Sequence, residues 1–200
     1  PSAENFNWLQ PDLAYDFGEP TKGLEMPFFE AQIVFVYDSA FVPEEVLPQS
    51  MSELVAALTN PSHELYRKFA FAAPGKVVDG KAVAGDFTGS AFARMFLYAF
   101  GGGFVNFQGK YLEATLNAAT PEVFAQMKAL EAGLYREEGA TEPYYCPTQA
   151  DCDALYLNGN IHMTMSYNPS VVGAQLTQGW PATSKSYVPT EGSMANVNFM

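Results

Sequence analysis

The sequence predicts an α/β fold in which helices layer a mixed β-sheet. Short apolar segments rich in β-branched residues alternate along the chain with longer segments whose apolar residues recur at helical spacing. Hydrophobic residues make up 48% of the 200 residues and charged residues only 16%, which is the composition of a packed globular protein. A chain of this length can bury one well-formed core.

The first half of the chain opens with about 30 residues rich in Pro, Gly and aromatic side chains, for which we expect an irregular lead-in. The apolar run 33–37 follows and predicts a buried strand. Ser50 and Glu53 then have the spacing of a capping box, which predicts a helix that Asn60-Pro61 ends.

The middle of the chain predicts a strand, a hairpin and two helices. The short strand is expected over 69–73, and the segment 77–83 should form a hairpin that turns at Asp79-Gly80. A second helix should start near Thr88, and Gly101 can end it. Its core face follows the spacing i, i+3, i+4, i+7, i+8: Phe92, Met95, Phe96, Ala99 and Phe100. A third helix is expected from Thr120-Pro121 to Gly133.

The last third alternates in the same way. The predicted elements are a helix over 148–157, a strand over 161–166, a helix from Asn168-Pro169 to about Gln178, and extended segments over 186–189 and 196–200.

The charge balance is strongly acidic. Acidic residues outnumber basic ones 22 to 10, for a net charge of −12, so we expect no binding to nucleic acid, which depends on Lys and Arg. The acidity fits either a well-solvated surface or attraction for cationic ligands. No apolar run approaches the roughly 20 residues that cross a bilayer. Because neither an initiator Met nor a signal-peptide pattern opens the chain, we expect a mature form or an excised piece.

Cys146 and Cys152 enclose a loop of five residues. No neighbouring Cys or His completes a zinc site, so two interpretations remain, a disulfide or two unrelated thiols. A disulfide here would indicate an oxidising compartment.

Two polar turns are candidates for ligand contact, and each precedes a helix. In the first, Asp86 to Ser90, glycine lets a ligand approach the backbone, and Thr88 and Ser90 offer hydroxyls beside free helix N–H groups. Ordinary capping by Thr88 or Ser90 explains the same residues equally well. In the second turn, Ser166, Tyr167 and Asn168 fit either a helix cap or a ligand contact.

The sequence offers little support for catalysis. His63 and His162 are isolated and predict no metal site, and we expect no cofactor. No nucleophile elbow, phosphate loop or dinucleotide fingerprint is present. We therefore expect a binding protein rather than an enzyme.

Four segments in order resemble one family. They are the hinge-crossing strand that ends in Tyr37-Asp38-Ser39, the helix start 86–92, the Ser-Tyr turn 164–170 and the strand 192–199. Together they are similar to type II periplasmic solute-binding proteins of ABC transporters, in the branch that binds thiamine, polyamines and ferric iron. Tyr144-Tyr145 is a tyrosine pair of the kind that ferric-iron binders use, but it lies away from the expected turn, so iron is disfavoured.

The resemblance implies a protein of two lobes that closes over a small polar solute and presents it to a permease, in the periplasm or outside the cell. It divides the chain into a lead-in and hinge (1–31), a solute-binding lobe (32–195) and a return hinge strand (196–200). Most of the other lobe is absent, and the 77–83 hairpin intrudes beside the ligand turn. The implied ligand-binding residues are Tyr37, Asp38, Asp86, Thr88, Gly89, Ser90, Ser166, Tyr167 and Asn168. The alternatives are an enzyme of the same fold that acts on a pyrimidine or thiamine-related precursor, and a sensor module.

Overall fold

A computed structural model describes residues 15–16, 19–20, 27–101, 113–166, 171–192 and 195–199. The strands are β1 (Tyr15–Asp16), β2 (Glu19–Pro20), β3 (Pro27–Gln32), β4 (Val34–Asp38), β5 (Gly75–Val78), β6 (Lys81–Ala84), β7 (Met163–Ser166), β8 (Ser184–Tyr187) and β9 (Ala195–Phe199). The helices are α1 (Met51–Thr59), α2 (Phe87–Gly101), α3 (Glu113–Glu131), α4 (Gln149–Leu157) and α5 (Val171–Gln178), and a 3-10 turn spans Glu44–Val46.

The central sheet has the strand order β7-β4-β8, and both neighbours run antiparallel to β4. Val34 pairs with Ser166 at one end of β4, and Asp38 pairs with Ser184 at the other. All five residues of β4 are buried, because the strand is covered on both faces.

Alternating residues of β4 enter two separate cores. Phe35 and Tyr37 belong to the core that also contains buried residues of α1, α2 and α3. Val34 and Val36 belong to the core that contains Cys152 of α4. Because successive side chains of a strand point to opposite faces, β4 packs against a helical layer on each face of the sheet. The predicted α/β fold class is confirmed.

The predicted strand over 69–73 is an extended segment rather than a full ladder. Isolated parallel bridges join Phe69 to Met163 and Ala72 to Cys146. Between them, the Ala70 carbonyl accepts from the Thr164 hydroxyl at 3.0 Å, so a side chain replaces a backbone partner. The segment is nevertheless buried, and one parallel bridge connects it to β7, whereas the strands of the central sheet are antiparallel.

Helix α3 begins seven residues before the predicted start at Thr120, and Pro121 lies inside it. A proline inside a helix removes one backbone hydrogen bond but does not always end the helix. The packing of Val123 and Leu130 into the core stabilises the continuous helix. Gly133 follows the end of α3 as predicted, and a Cβ there would lie 1.6 Å from the Leu58 carbonyl oxygen.

Helices α1 and α4 begin where the sequence predicts, at Ser50 and Thr148. Ser50 accepts from the Glu53 N–H at 3.2 Å, although the Glu53 carboxylate bonds the N–H of Gln49 instead of that of Ser50. Thr148 and Asp151 form a reciprocal capping box at the start of α4. The predicted cap of α5 at Asn168-Pro169 lies outside the described residues.

In the described part of the chain, three further antiparallel pairs lie outside the central sheet, and the first is β1 with β2. Strands β5 and β6 form the predicted hairpin, with Asp79 (φ 50°) and Gly80 (φ 74°) in the left-handed region that its tight turn needs. Strand β3 pairs with β9, where Glu30 lies opposite Val197. The chain therefore enters β4 and leaves after β8 through neighbouring strands. Among the described residues, no helix has the length and apolar character of a membrane span.

Candidate functional site

Two helix starts and one strand end meet at a single edge of the central sheet. The Gln149 backbone N–H, at the start of α4, donates to Asp86 Oδ2 at 3.1 Å, just before α2. The Gln149 side-chain amide donates to the Met165 carbonyl at 2.5 Å, next to the end of β7. Gln149 therefore joins the two turns that the sequence separates by about 80 residues.

Asp86 is the cap of α2. Its Oδ1 accepts from the Thr88 N–H at 2.9 Å and lies 2.6 Å from the Thr88 hydroxyl, and its carbonyl accepts from the Ser90 N–H at 3.1 Å. The helix is therefore capped by Asp86, and not by Thr88 or Ser90 as in the alternative that the sequence left open. The Thr88 N–H, which the sequence predicted to be free for a bound anion, therefore donates to the Asp86 carboxylate of the protein itself.

The hydrogen bonds also set the charge of Asp86. Partial burial raises the pKa of its carboxyl, but the bonds from the Thr88 hydroxyl, the Thr88 N–H and the Gln149 N–H outweigh burial and hold the pKa below its ordinary value. Asp86 is consequently ionised at neutral pH.

Thr88 is 2% exposed, so its hydroxyl faces the protein interior. The hydroxyl lies 2.6 Å from Asp86 Oδ1 and 2.9 Å from Gln149 Oε1, and its single proton can serve only one of them at a time. The Gln149 amide also donates to Asp153 Oδ1 at 2.9 Å. Burial, together with the negative charge of Asp86, raises the pKa of Asp153 despite that bond.

Gly89 and Ser90 face neighbouring backbone. A Cβ on Gly89 would lie 2.0 Å from the Ala72 carbonyl oxygen, so the missing side chain lets α2 pack closely against the extended segment. The Ser90 hydroxyl donates to the Pro74 carbonyl at 3.2 Å. The described contacts of both residues thus hold the start of α2 in place.

Ser166 ends β7 beside this network, and it is half-buried. Tyr167 and Asn168, the other two predicted residues of this turn, lie outside the described residues.

Tyr37 and Asp38 lie at the opposite end of the sheet. Because β7 is antiparallel to β4, Ser166 lies next to Val34, and four residues of extended chain put Asp38 about 13 Å farther along the strand. Tyr37 packs edge-on against Tyr187, and Asp38 accepts from the Ala40 N–H at 2.9 Å. The two residues therefore lie at the end of β4 that is away from Ser166, and their contact with the ligand stays a prediction. They are the last two residues of β4, which leads away from β3.

Cys146 and Cys152 are joined by a disulfide, with their Cα atoms 5.6 Å apart. Both are fully buried in the core that α4 covers. The bond connects the segment before α4 to the first turns of that helix, and so restrains the position of Gln149.

The described residues contain no group of three or more His, Cys, Asp and Glu that could hold a metal ion. His63 Nε2 lies 3.1 Å from the Val46 carbonyl, and His162 stacks on Phe41 with ring centres 4.4 Å apart.

Gln149 and Asp153 are the site residues that sequence reasoning missed. Gln149 is the first residue of a helix that follows a short extended segment, the same pattern that singled out Asp86. The capping box at Thr148 was the available signal.

A family model described as bacterial extracellular solute-binding protein matches residues 2–200. Protein YnjB of Escherichia coli (strain K12) is 29% identical over 199 residues, which are 97% of this chain and 46% of that protein. The chain therefore spans about half the length of the curated relative that it matches.

Solved structures show the same architecture. The spermidine/putrescine ABC-transporter substrate-binding protein PotD of Streptococcus pneumoniae has a TM-score of 0.60 at 13% identity, over 100% of this chain and 47% of that one. A periplasmic thiamin-binding protein gives a TM-score of 0.55 at 15% identity, over 88% and 41%. Iron-bound HitA of Pseudomonas aeruginosa gives 0.52 at 15% identity, over 96% and 50%. At these identities the likeness shows the fold alone.

The family match covers nearly the whole chain, and the neighbours have the periplasmic-binding-protein fold. The expectations of a solute-binding protein rather than an enzyme and of a periplasmic or extracellular location are thereby confirmed at the level of the family. The branch to which the protein belongs stays a prediction. The chain belongs to the bacterial extracellular solute-binding protein family.

Proposed function

We propose that this chain is one lobe of the substrate-binding subunit of an ABC importer, and that its solute lies at the edge where α2 and α4 begin and β7 ends. The observation that carries the proposal is the network from Asp86 through Gln149 to the Met165 carbonyl. It brings three chain segments together at the end of the sheet that adjoins the β3–β9 pair.

The proposed mechanism is closure of two lobes over the solute. This lobe supplies one wall of the cleft, and the other lobe, outside this chain, supplies the opposite wall. Closure buries the solute and removes competing water, so that affinity depends on both walls. The closed form would then deliver the solute to the permease.

The charge of the site favours a cationic solute. Asp86 is held ionised by its hydrogen bonds, and the pKa of Asp153 is raised by burial and by Asp86, so these two half-buried carboxyls repel each other. A cation bound beside them would offset the repulsion between the two carboxyls, whereas a small anion would add to it. Among the solutes that the resemblance suggests, polyamines and thiamine-like cations therefore rank above small anions.

The proposal is tested by thermal denaturation of the full-length protein with spermidine, putrescine, thiamine, ferric iron or phosphate. A solute at 100 times its dissociation constant should add about 2.7 kcal/mol of stability. We expect a cation to do so and phosphate to have no effect.

Asp153→Asn should reduce that stabilisation because it removes one carboxylate from the site. Glu142→Gln is the matched control, since Glu142 is an exposed carboxylate outside the network. If phosphate stabilises the protein, or if both variants respond to the cation as the wild type does, the assignment of the site is wrong.

A further inference from the structure

A cavity of about 440 Å³ lies beside the root of the β5–β6 hairpin and is separate from the network around Asp86. Its walls come from the hairpin root at Ala73–Lys76, from Ala93 of α2, from α3, and from Phe71 and Tyr145. Its volume falls within the range of pockets that bind small molecules. Among the described residues, no side chain of the predicted ligand site lines it.

The floor of the cavity is apolar and aromatic. Phe71 is buried, and its ring meets that of Tyr145 edge-on, with centres 5.5 Å apart. Met127 of α3 adds a polarisable side chain that adapts to flat ligands. This lining favours an aromatic or compact aliphatic body over an extended polar one.

The polar side chains in the lining are Lys76, which is exposed and in neither ion pair of the described residues, and the hydrogen-bonded pair of Tyr145 and Glu131. The Tyr145 hydroxyl donates to Glu131 Oε1 at 2.5 Å. Burial and the neighbouring carboxylate raise the pKa of Tyr145 far above its ordinary value, so the hydroxyl keeps its proton and directs it at Glu131.

The donors and acceptors of Tyr145 and Glu131 determine which ligand groups this pair can bind. With its only proton used, the Tyr145 oxygen retains acceptor capacity, and the Glu131 carboxylate is acceptor-only. Among the described residues, neither ion pair includes Glu131. A ligand that binds this pair must therefore bring donors, and a positive charge on it would neutralise the carboxylate, with which the exposed Lys76 forms no ion pair.

We propose that this cavity binds a small primary amine, whose ammonium group meets Glu131 and whose apolar body lies on Phe71 and Met127. This site does not depend on the solute site at α2 and α4. The two sites are nevertheless connected by hydrogen bonds. The Ala73 carbonyl accepts from the Asp86 N–H, and the Pro74 carbonyl accepts from the Ser90 hydroxyl.

The experiment is calorimetric titration of the full-length protein with phenethylamine, and with phenethyl alcohol as a neutral probe of the same shape. We expect saturable binding of the amine with a dissociation constant of about 1 mM or lower. Glu131→Gln should weaken amine binding about tenfold, since it removes a charged hydrogen-bond partner, and should leave alcohol binding unchanged. Unchanged alcohol binding also shows that the variant is folded and the cavity intact.

Asp153→Asn is the control at the solute site and should leave phenethylamine binding unchanged. Three results would overturn the proposal: no saturable binding of the amine, equal weakening of amine and alcohol by Glu131→Gln, or loss of amine binding in Asp153→Asn. The last result would place the amine in the solute cleft, and it would leave the proposed solute site standing.

Discussion

Replacing Gly89 by alanine separates two explanations of this glycine. If Gly89 serves to admit a ligand to the backbone, an added methyl group should leave the unliganded protein intact. In the structure, the Cβ position instead faces the extended segment, 2.0 Å from the Ala72 carbonyl oxygen and 2.7 Å from the Ala73 carbonyl carbon. We expect Gly89→Ala to destabilise the protein in the absence of any solute.

The magnitude follows from two opposing effects. Ordinary contact begins at 3.4 Å, so the Cβ is 1.4 Å too close to the Ala72 carbonyl oxygen, a backbone atom that cannot rotate away. Overpacking of this kind costs about 3 kcal/mol at the upper end of its usual range. Alanine recovers about 1 kcal/mol through its higher helix propensity than glycine. The free energy of unfolding should therefore fall by about 2 kcal/mol.

The assay is urea denaturation without solute, followed by the fluorescence of the buried Trp180. Ser90→Ala is the neighbouring control, because it removes only a partly exposed hydroxyl contact, and its effect should stay within about 0.5 kcal/mol. If Gly89→Ala proves as stable as the wild type, α2 does not pack against Ala72 as described. Ligand access would then be the better explanation of the glycine.

Three further perturbations probe the same edge of the sheet. Replacing Cys146 and Cys152 together by serine removes a crosslink worth about 2 kcal/mol, so the urea midpoint should fall and lose its sensitivity to reductant. Gln149→Ala leaves the Met165 carbonyl without its amide donor, and solute affinity should fall in calorimetric titration. Because the pKa of Asp86 is lowered by folding, its carboxylate stabilises the protein above the ordinary value of 3.8, and that stability is lost as the pH falls through the folded-state pKa. Asp86→Asn should therefore lower stability at neutral pH, and the difference from the wild type should shrink in acid.

Each of these expectations has a contradicting outcome. Reductant that fails to shift the wild-type midpoint would count against the disulfide, and full solute affinity in Gln149→Ala would remove that residue from the site. A difference between Asp86→Asn and the wild type that stays constant into acid would show that its origin is not ionisation.

Elements fixed by local chemistry could be predicted from the sequence. The turn at Asp79-Gly80 adopts the expected backbone because two adjacent residues determine it, and Thr148 with Asp151 starts α4 because the cap is made within one turn. The start of α3 could not be predicted in this way. A proline is compatible with both the first turn and the interior of a helix, and tertiary packing decides between them.

The candidate site was predictable only in part. The turns at Asp86 and Ser166 were singled out because each lies where a helix start or strand end meets polar residues. Their proximity depends on Gln149, whose bonds to Asp86 and the Met165 carbonyl span long stretches of chain and leave no local pattern. Tyr37 and Ser166 were grouped in one site, yet they lie at opposite ends of β4. Their separation depends on the antiparallel register of β4 and β7, which the sequence does not specify.

The pairing of β3 with β9 has a consequence for engineering. Residues 33–194 are bounded by two hydrogen-bonded strands, so the two attachment points lie about 5 Å apart, one interstrand spacing. An insert whose ends are that close needs little separation in a host, and a surface β-hairpin provides it. Residues 33–194 should therefore be transferable as a cassette into the turn of an unrelated protein.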